Sequence, residues 1–240
     1  MSTLVVGATG ATGRLLVDQL INRGEAVVVI VRSAERLPEH LRSHDNVSVV
    51  EANLIDLSDA ETAEHVKGCT AIASCLGHNL SLRGIFGPPR RLVRDVVAKL
   101  CAAIGVVNPG HKTKFVLMNT TAIRNPNSDD RASIPNRLVI GLLRHLLPPQ
   151  SDNERAADYL RVEIGQDHGD IDWTVVRPDT LVDEADVTEH QEYPSPIRDP
   201  IFNAGKTSRI NVAHFMAELI MDSDTWSEWK GKMPAIYNSE

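Results

Sequence analysis

The chain is poor in several features that would settle its chemistry at once. It has only three cysteines, Cys69, Cys75 and Cys101, spaced unlike any metal-binding motif, and the odd count gives no disulfide framework. A reducing compartment, the cytoplasm, is therefore expected. Basic residues are outnumbered: 25 Lys and Arg face 32 Asp and Glu, for a formal net charge of -7. A dedicated nucleic-acid binder usually presents a basic face, so no nucleic acid is expected as a partner. Long apolar runs are missing too. The longest, Leu138 to Leu147, is interrupted by Arg144 and His145 and falls short of the roughly 20 residues that cross a bilayer. It suits a core helix, a lid or a subunit contact, in a monomer or a homodimer. Met1 leads straight into a strand-like segment, leaving no room for a signal peptide. No internal repeat or low-complexity tract is present.

What the sequence does contain is alternation. Hydrophobic residues make up 42%, enough for a sizeable core, and β-type runs take turns with helix-period segments. Thr3–Gly7, Ala26–Arg32, Val47–Leu54, Thr70–Gly77, Lys114–Thr121 and Ile171–Pro178 read as six strands. The runs Thr12–Asn22, Ala60–Val66, Leu92–Ala103, Asn153–Ile164 and Val212–Met221 read as helices, the first stopped by Gly24. Uninterrupted β-branched stretches such as AVVVIVR suit strands buried on both faces. Repeated strand–helix units imply right-handed crossovers and a parallel sheet covered on both sides. The expectation is one doubly wound α/β domain of the Rossmann type over residues 1–240, with a small substrate-side region near its C-terminus.

The first strand–helix turn reads GATGATG, with Gly7, Gly10 and Gly13 three residues apart. Glycines at such a turn serve a tight bend, close approach of the backbone to a pyrophosphate, and close helix–strand packing. The helix start that follows offers free N–H groups to phosphate. Thr9, Ala11 and Thr12 join the three glycines as expected contacts. The second strand ends at Arg32-Ser33, where an NAD enzyme would place an acidic residue. Arg32, with Ser33 and Arg36, would instead receive the 2′-phosphate of NADP. Asn53 and Leu54 follow the third strand, placed to meet the adenine. Leu76, Gly77 and His78 follow the fourth strand, beneath the ribose and nicotinamide, and Arg177-Pro178 closes the sixth.

Taken together, VVGATGATGRLL, IVRSAERLP, SCLG, DWTVVRPDTL and RINVAHFM make the chain resemble the atypical short-chain dehydrogenase/reductase group, in its NmrA-like and flavin reductase-like members. The resemblance runs over nearly the whole chain. It implies NADPH as cofactor and either hydride transfer to a small planar acceptor or a regulator that binds NADP and a protein partner. Well-known members carry a Ser after the fifth strand and a Tyr-x-x-x-Lys on the next helix. Here Thr120 stands where the Ser is usual, beside Asn119, so Thr120 is the implied catalytic hydroxyl and Asn119 an implied cofactor contact. The Tyr-x-x-x-Lys is absent: Tyr159 is followed four residues later by Glu163. A carboxylate beside a phenol raises its pKa, where the missing Lys would lower it. Hydride transfer to a flavin or quinone survives that loss, because water supplies the proton and positioning supplies the catalysis.

Overall fold

The structure, a computed structural model, describes residues 2–78, 87, 89–107, 109–126, 139, 141 and 147–239. Most of the Leu138–Leu147 segment lies outside the described residues, as does Asn79 beyond His78. Strand β1 (Ser2–Val6) passes through the glycine turn into helix α1 (Ala11–Asn22), and the pattern repeats. There follow β2 (Ala26–Val31), the single turn α2 (Glu39–Arg42), β3 (Val47–Glu51), α3 (Asp59–Val66), β4 (Cys69–Ser74), α4 (Leu92–Val107) and β5 (Thr113–Met118). Helix α5 (Pro148–Asp158) then leads to β6 (Ile171–Pro178). The C-terminal part adds β7 (Thr180–Val182), β8 (His190–Tyr193), β9 (Lys206–Ser208), α6 (Arg209–Met221), α7 (Ser223–Trp229) and β10 (Ala235–Asn238).

The larger described sheet runs in the order β3-β2-β1-β4-β5-β6-β10-β8, and β7 pairs separately with β9. All neighbours in the large sheet are parallel except β8, which runs against β10. Strand order reverses between β1 and β4, so a crevice opens outside their carboxyl ends, where ligands bind in such sheets. This is the doubly wound Rossmann-type architecture that the alternation predicts.

Side chains alternate across the sheet as strand geometry requires. Leu4, Val6, Phe115, Leu117 and Trp173 face α3, α4 and α5, meeting Val97, Leu100, Ile104 and Leu160. Val5, Val29, Val116 and Val176 face α1, α6 and α7, meeting Leu16, Leu20, Phe215 and Met216. Trp226 and Trp229 are buried in this second cluster, so they anchor the last helix to the core. Each such side chain, fully buried, contributes about 1.5–3 kcal/mol. Among the described residues no helix is long and apolar enough to cross a membrane, and no cluster of His, Cys, Asp or Glu could hold a metal ion.

Several boundaries differ from those expected: β3 ends at Glu51 and not Leu54, β4 at Ser74 and not Gly77, β5 at Met118 and not Thr121, α4 runs on to Val107, and α6 starts at Arg209. Helix α5 starts at Pro148, five residues earlier than Asn153, because proline at the first helical positions has its φ already set and no N–H to satisfy. From Tyr159 to Ile164 the winding loosens into a π-turn, closed by Gly165 N–H donating to the Leu160 carbonyl at 3.0 Å. The strands after β6 carry no sequence period: β8 is HQEY and β9 only KTS. They exist because neighbours pair with them.

One side chain ties this C-terminal part to the sheet. Arg177 is fully buried in β6. Its Nε donates to the Met233 carbonyl at 2.7 Å, Nη1 to Ile123 at 3.2 Å and Nη2 to Pro194 at 3.3 Å. Three otherwise separate segments converge on one guanidinium. Arg177→Met should therefore lower stability by about 3 kcal/mol, since buried carbonyls lose a charged donor. Urea unfolding reads this directly, and an unchanged midpoint would contradict the assignment.

Candidate functional site

The three glycines of the turn do different work. Gly7 has φ +81°, and a Cβ there would sit 2.6 Å from the carbonyl carbon and oxygen of Cys75. Only glycine fits where the end of β1 passes the end of β4. A Cβ on Gly13 would overlap the Gly7 carbonyl oxygen, so Gly13 lets α1 close on the strand end. Gly10 is different. It is exposed, and the nearest atom to a Cβ there is Gly7 O at 3.1 Å. Its absent side chain leaves room on the outer side of the turn.

Gly10 is also the N-cap of α1, where no side chain makes a capping bond and the first turn has no acidic residue. Three other helices are closed by the chain itself, with Ser58 and Glu61 forming a capping box on α3, Ser208 capping α6 and Asp222 capping α7, while α2 and α5 are headed by Pro38 and Leu147 without a side-chain cap. The first-turn donors of α1, on Ala11, Thr12 and Gly13, have no such side-chain acceptor. They carry the positive end of the helix dipole.

A cleft of about 140 Å³ opens beside this turn. Of the expected residues it gathers Gly7, Thr9, Arg32, Asn53, Leu54, Leu76 and Gly77 in its lining, whereas Gly10, Ala11, Thr12 and Gly13 lie outside it. Arg32 is exposed just beyond β2. Ser33 and Arg36 lie next along the chain, outside the lining, with Ser33 heading a 3-10 turn over Ala34–Arg36. Asn53 turns its amide Nδ2 toward Asp56 Oδ2 at 2.7 Å. The sequence reading did not name Ile30, Ala52, Ile55, Pro89, Leu92 and Val96, which supply the apolar walls. Leu92 and Val96 stand four apart on α4, a spacing that puts them on one helix face, but only the fold shows which face. Uncapped N–H donors, an open glycine and an arginine beside an apolar slot fit a dinucleotide with its diphosphate on α1.

Toward β5 and β6 the chain is more self-satisfied. Asn119 is buried, and its Nδ2 donates to the Asn153 carbonyl at 2.9 Å while its Oδ1 has no partner among the described residues. Ser74 Oγ at the end of β4 and Thr121 Oγ1 just after β5 are likewise buried and without a partner among the described residues; neither is a site residue expected from the sequence. Thr120 Oγ1 accepts the Ala122 N–H at 3.2 Å, and its own O–H has no acceptor among the described residues. At the end of β6, the Arg177 N–H donates to Pro234 O at 2.8 Å, and the Pro178 carbonyl accepts from Thr121 N–H at 3.0 Å. These backbone groups are thus spent within the protein.

His78 turns inward. Its side chain is 4% exposed, and its Nε2 lies 2.7 Å from Oδ2 of Asp152, whose side chain is 0% exposed. Asp152 also accepts the Val93 and Arg94 N–H groups at 2.8 and 3.1 Å. A carboxylate from α5 thereby closes the start of α4 and pins the segment after β4. Tyr159 sits elsewhere, in an outer cleft with Arg91, Arg94 and Arg155. The Arg94 guanidinium lies 5.2 Å from its ring centre. Burial raises the phenol pKa, Cys101 and Glu163 add to this, and Arg94 opposes it. That moves Tyr159 away from shuttling protons at neutral pH. A larger cleft, about 740 Å³, lies among Tyr193, Arg198, Lys206 and Tyr237, where burial pushes the Tyr237 phenol up to about 12. It has no part of the glycine turn.

Sheet order, switch-point crevice and an uncapped glycine turn define a dinucleotide-binding protein of the Rossmann type. The chain belongs to the NAD(P)H-binding family, whose model matches residues 7–223. That agrees with the resemblance to atypical short-chain dehydrogenase/reductases and their flavin reductase-like members. Among solved structures, it is similar to the oxidoreductase ylbE of Lactococcus lactis, with 20% identity and a TM-score of 0.70 over 100% of this chain and 92% of that one. It is similar to a short-chain dehydrogenase/reductase of Veillonella parvula solved with NADP, with 13% identity and a TM-score of 0.72 over 99% and 94% of the two chains. It is also similar to a Streptococcus pneumoniae protein described as a candidate NADH-flavin reductase, with 15% identity and a TM-score of 0.66 over 100% of both chains. At these identities the likeness speaks for the fold. A search of curated proteins by sequence finds no match.

The division of labour among the glycines is testable. Gly13→Ala should destabilise the fold by about 2–3 kcal/mol through overpacking. Gly10→Ala should leave the melting temperature nearly unchanged but weaken NADP⁺ binding at least about tenfold, because it fills the approach of the phosphate. Thermal unfolding and calorimetry on both variants separate the effects, and the reverse pattern would refute the assignment.

Proposed function

We propose that the chain is an NADP(H)-dependent oxidoreductase that passes hydride to a planar acceptor such as a flavin or quinone. The observation that carries this is the turn leading into the uncapped helix α1, whose Gly7 and Thr9 line one cleft with Arg32. NADPH, when bound, supplies the hydride. The residues of this chain bind, orient and shield. The N–H groups of Ala11, Thr12 and Gly13 hold the diphosphate, and Arg32 with Ser33 takes the 2′-phosphate. Leu54 and the apolar wall from α4 exclude water from the adenine. Thr120 is the polar contact to the acceptor: its oxygen is fixed by the Ala122 N–H, which leaves its O–H to donate to an acceptor carbonyl. Water delivers the proton that accompanies the hydride, since Tyr159 stands outside the cleft and its phenol is pushed upward.

Loss of the proton-passing pair also favours a second reading, an NADP-binding redox sensor that works through a protein partner and turns over nothing. NADPH oxidation measured with FMN, FAD and a panel of quinones separates the two. Turnover with one of these acceptors is the expected result, and tight NADP⁺ binding with no turnover on any would favour the sensor. Arg32→Ala should weaken NADPH binding about 10- to 100-fold, the worth of one or two charge-assisted hydrogen bonds, with NADH affected less than about twofold. Equal losses for both cofactors would overturn the 2′-phosphate assignment.

A further inference from the structure

A carboxylate reaches the edge of the cofactor site from the end of β3, at a residue that the sequence pattern does not single out. β2 and β3 run parallel with Val31 opposite Glu51, so Glu51 ends β3 beside the place where Arg32 leaves β2. Ser33 then heads the 3-10 turn Ala34–Arg36, and its hydroxyl makes no capping bond. The first N–H of the turn, on Ala34, donates instead to Glu51 Oε2 at 2.8 Å. Arg32 is exposed and makes no ion pair among the described residues. Three donors thus sit on consecutive residues: a guanidinium, a hydroxyl and a backbone N–H. The first two are unspent, and the third is held by a negative charge.

This arrangement has an electrostatic consequence for any anion placed there. A phosphate gains from each donor it reaches and most from charged ones. It loses where a carboxylate already holds a donor or stands close by. A 2′-hydroxyl carries no charge and suffers neither penalty; a carboxylate within reach would even accept from it, as the acidic residue of NAD enzymes does from the end of the second strand. β2 lacks that acid here, and β3 brings one to the same spot. We propose that Glu51 is a specificity-determining residue: by holding the Ala34 N–H and placing its charge beside Arg32, it limits the preference for NADP and keeps the site open to NAD. This rests on reading Arg32 and Ser33 as the 2′-phosphate subsite.

Calorimetric titration of NADP⁺ and NAD⁺ into the wild-type chain, E51Q and E51A tests the proposal without turnover. Gln keeps an acceptor for the Ala34 N–H and removes the charge, whereas Ala removes both. The ratio of NADP⁺ to NAD⁺ affinity should rise about threefold in E51Q and about tenfold in E51A, in line with a single partly screened charge and one released donor. An unchanged or smaller ratio in the variants overturns the proposal. Glu51 is exposed at the end of its strand, so both variants should fold; if E51A unfolds, E51Q decides alone. R32A in the same titrations tells the two levels apart. If R32A weakens both cofactors alike, the subsite reading fails and this inference with it. If R32A selectively weakens NADP⁺ while E51Q and E51A leave the ratio unchanged, only the role of Glu51 fails.

Discussion

The close backbone contact among Gly7, Gly13 and Cys75 governs the rest of the structure. Gly7 brings the end of β1 against the Cys75–Leu76 backbone that follows β4, and Gly13 brings α1 down onto Gly7. With side chains at either place, strand and helix would part. Because they do not, the start of α1, which no side chain caps, lies at the reversal point of the sheet. The same contact fixes α1 against α6, and the cluster around Leu16, Leu20, Phe215 and Met216 fills the space between them. Gly7 and Gly13 are thus held by packing, whereas Gly10 is not.

Much of this was readable from residues. Six parallel strands announce themselves because strands buried on both faces are continuous apolar runs, and β6 matches its expected bounds, Ile171–Pro178, at both ends. The glycine turn and Arg32 were legible because their residue types answer local geometric demands. What was not legible depends on tertiary partners. β8 and β10 pair at the sheet edge through residues with no period of their own. Asp152 is one acid among several polar neighbours until the fold carries it to His78 and the start of α4. Arg177 resembles a strand-end charge and proves to be a buried bolt for three carbonyls. Glu51 sits in an unremarkable VSVVE, and its meaning comes only from the register that sets it opposite Val31.

The site is better provided for holding than for proton chemistry. The start of α1 is left without a side-chain cap, the walls of the cleft are apolar, and the hydroxyl proposed to meet the acceptor, on Thr120, is fixed by a neighbouring N–H. Such a site favours reactions in which orientation is most of the task, and stacking of two flat partners is the simplest of these. The C-terminal region is tied to the sheet by Arg177.

The central claim is that the dinucleotide lies along the glycine turn and the carboxyl ends of β1 to β4. Amide hydrogen exchange measured with and without NADP⁺ tests it most directly, because protection maps the contact residue by residue. The account predicts slowed exchange concentrated at residues 7–13, 32–34 and 52–54. Protection centred instead on the larger cleft around Tyr193, Lys206 and Tyr237, with the glycine turn unchanged, would contradict it.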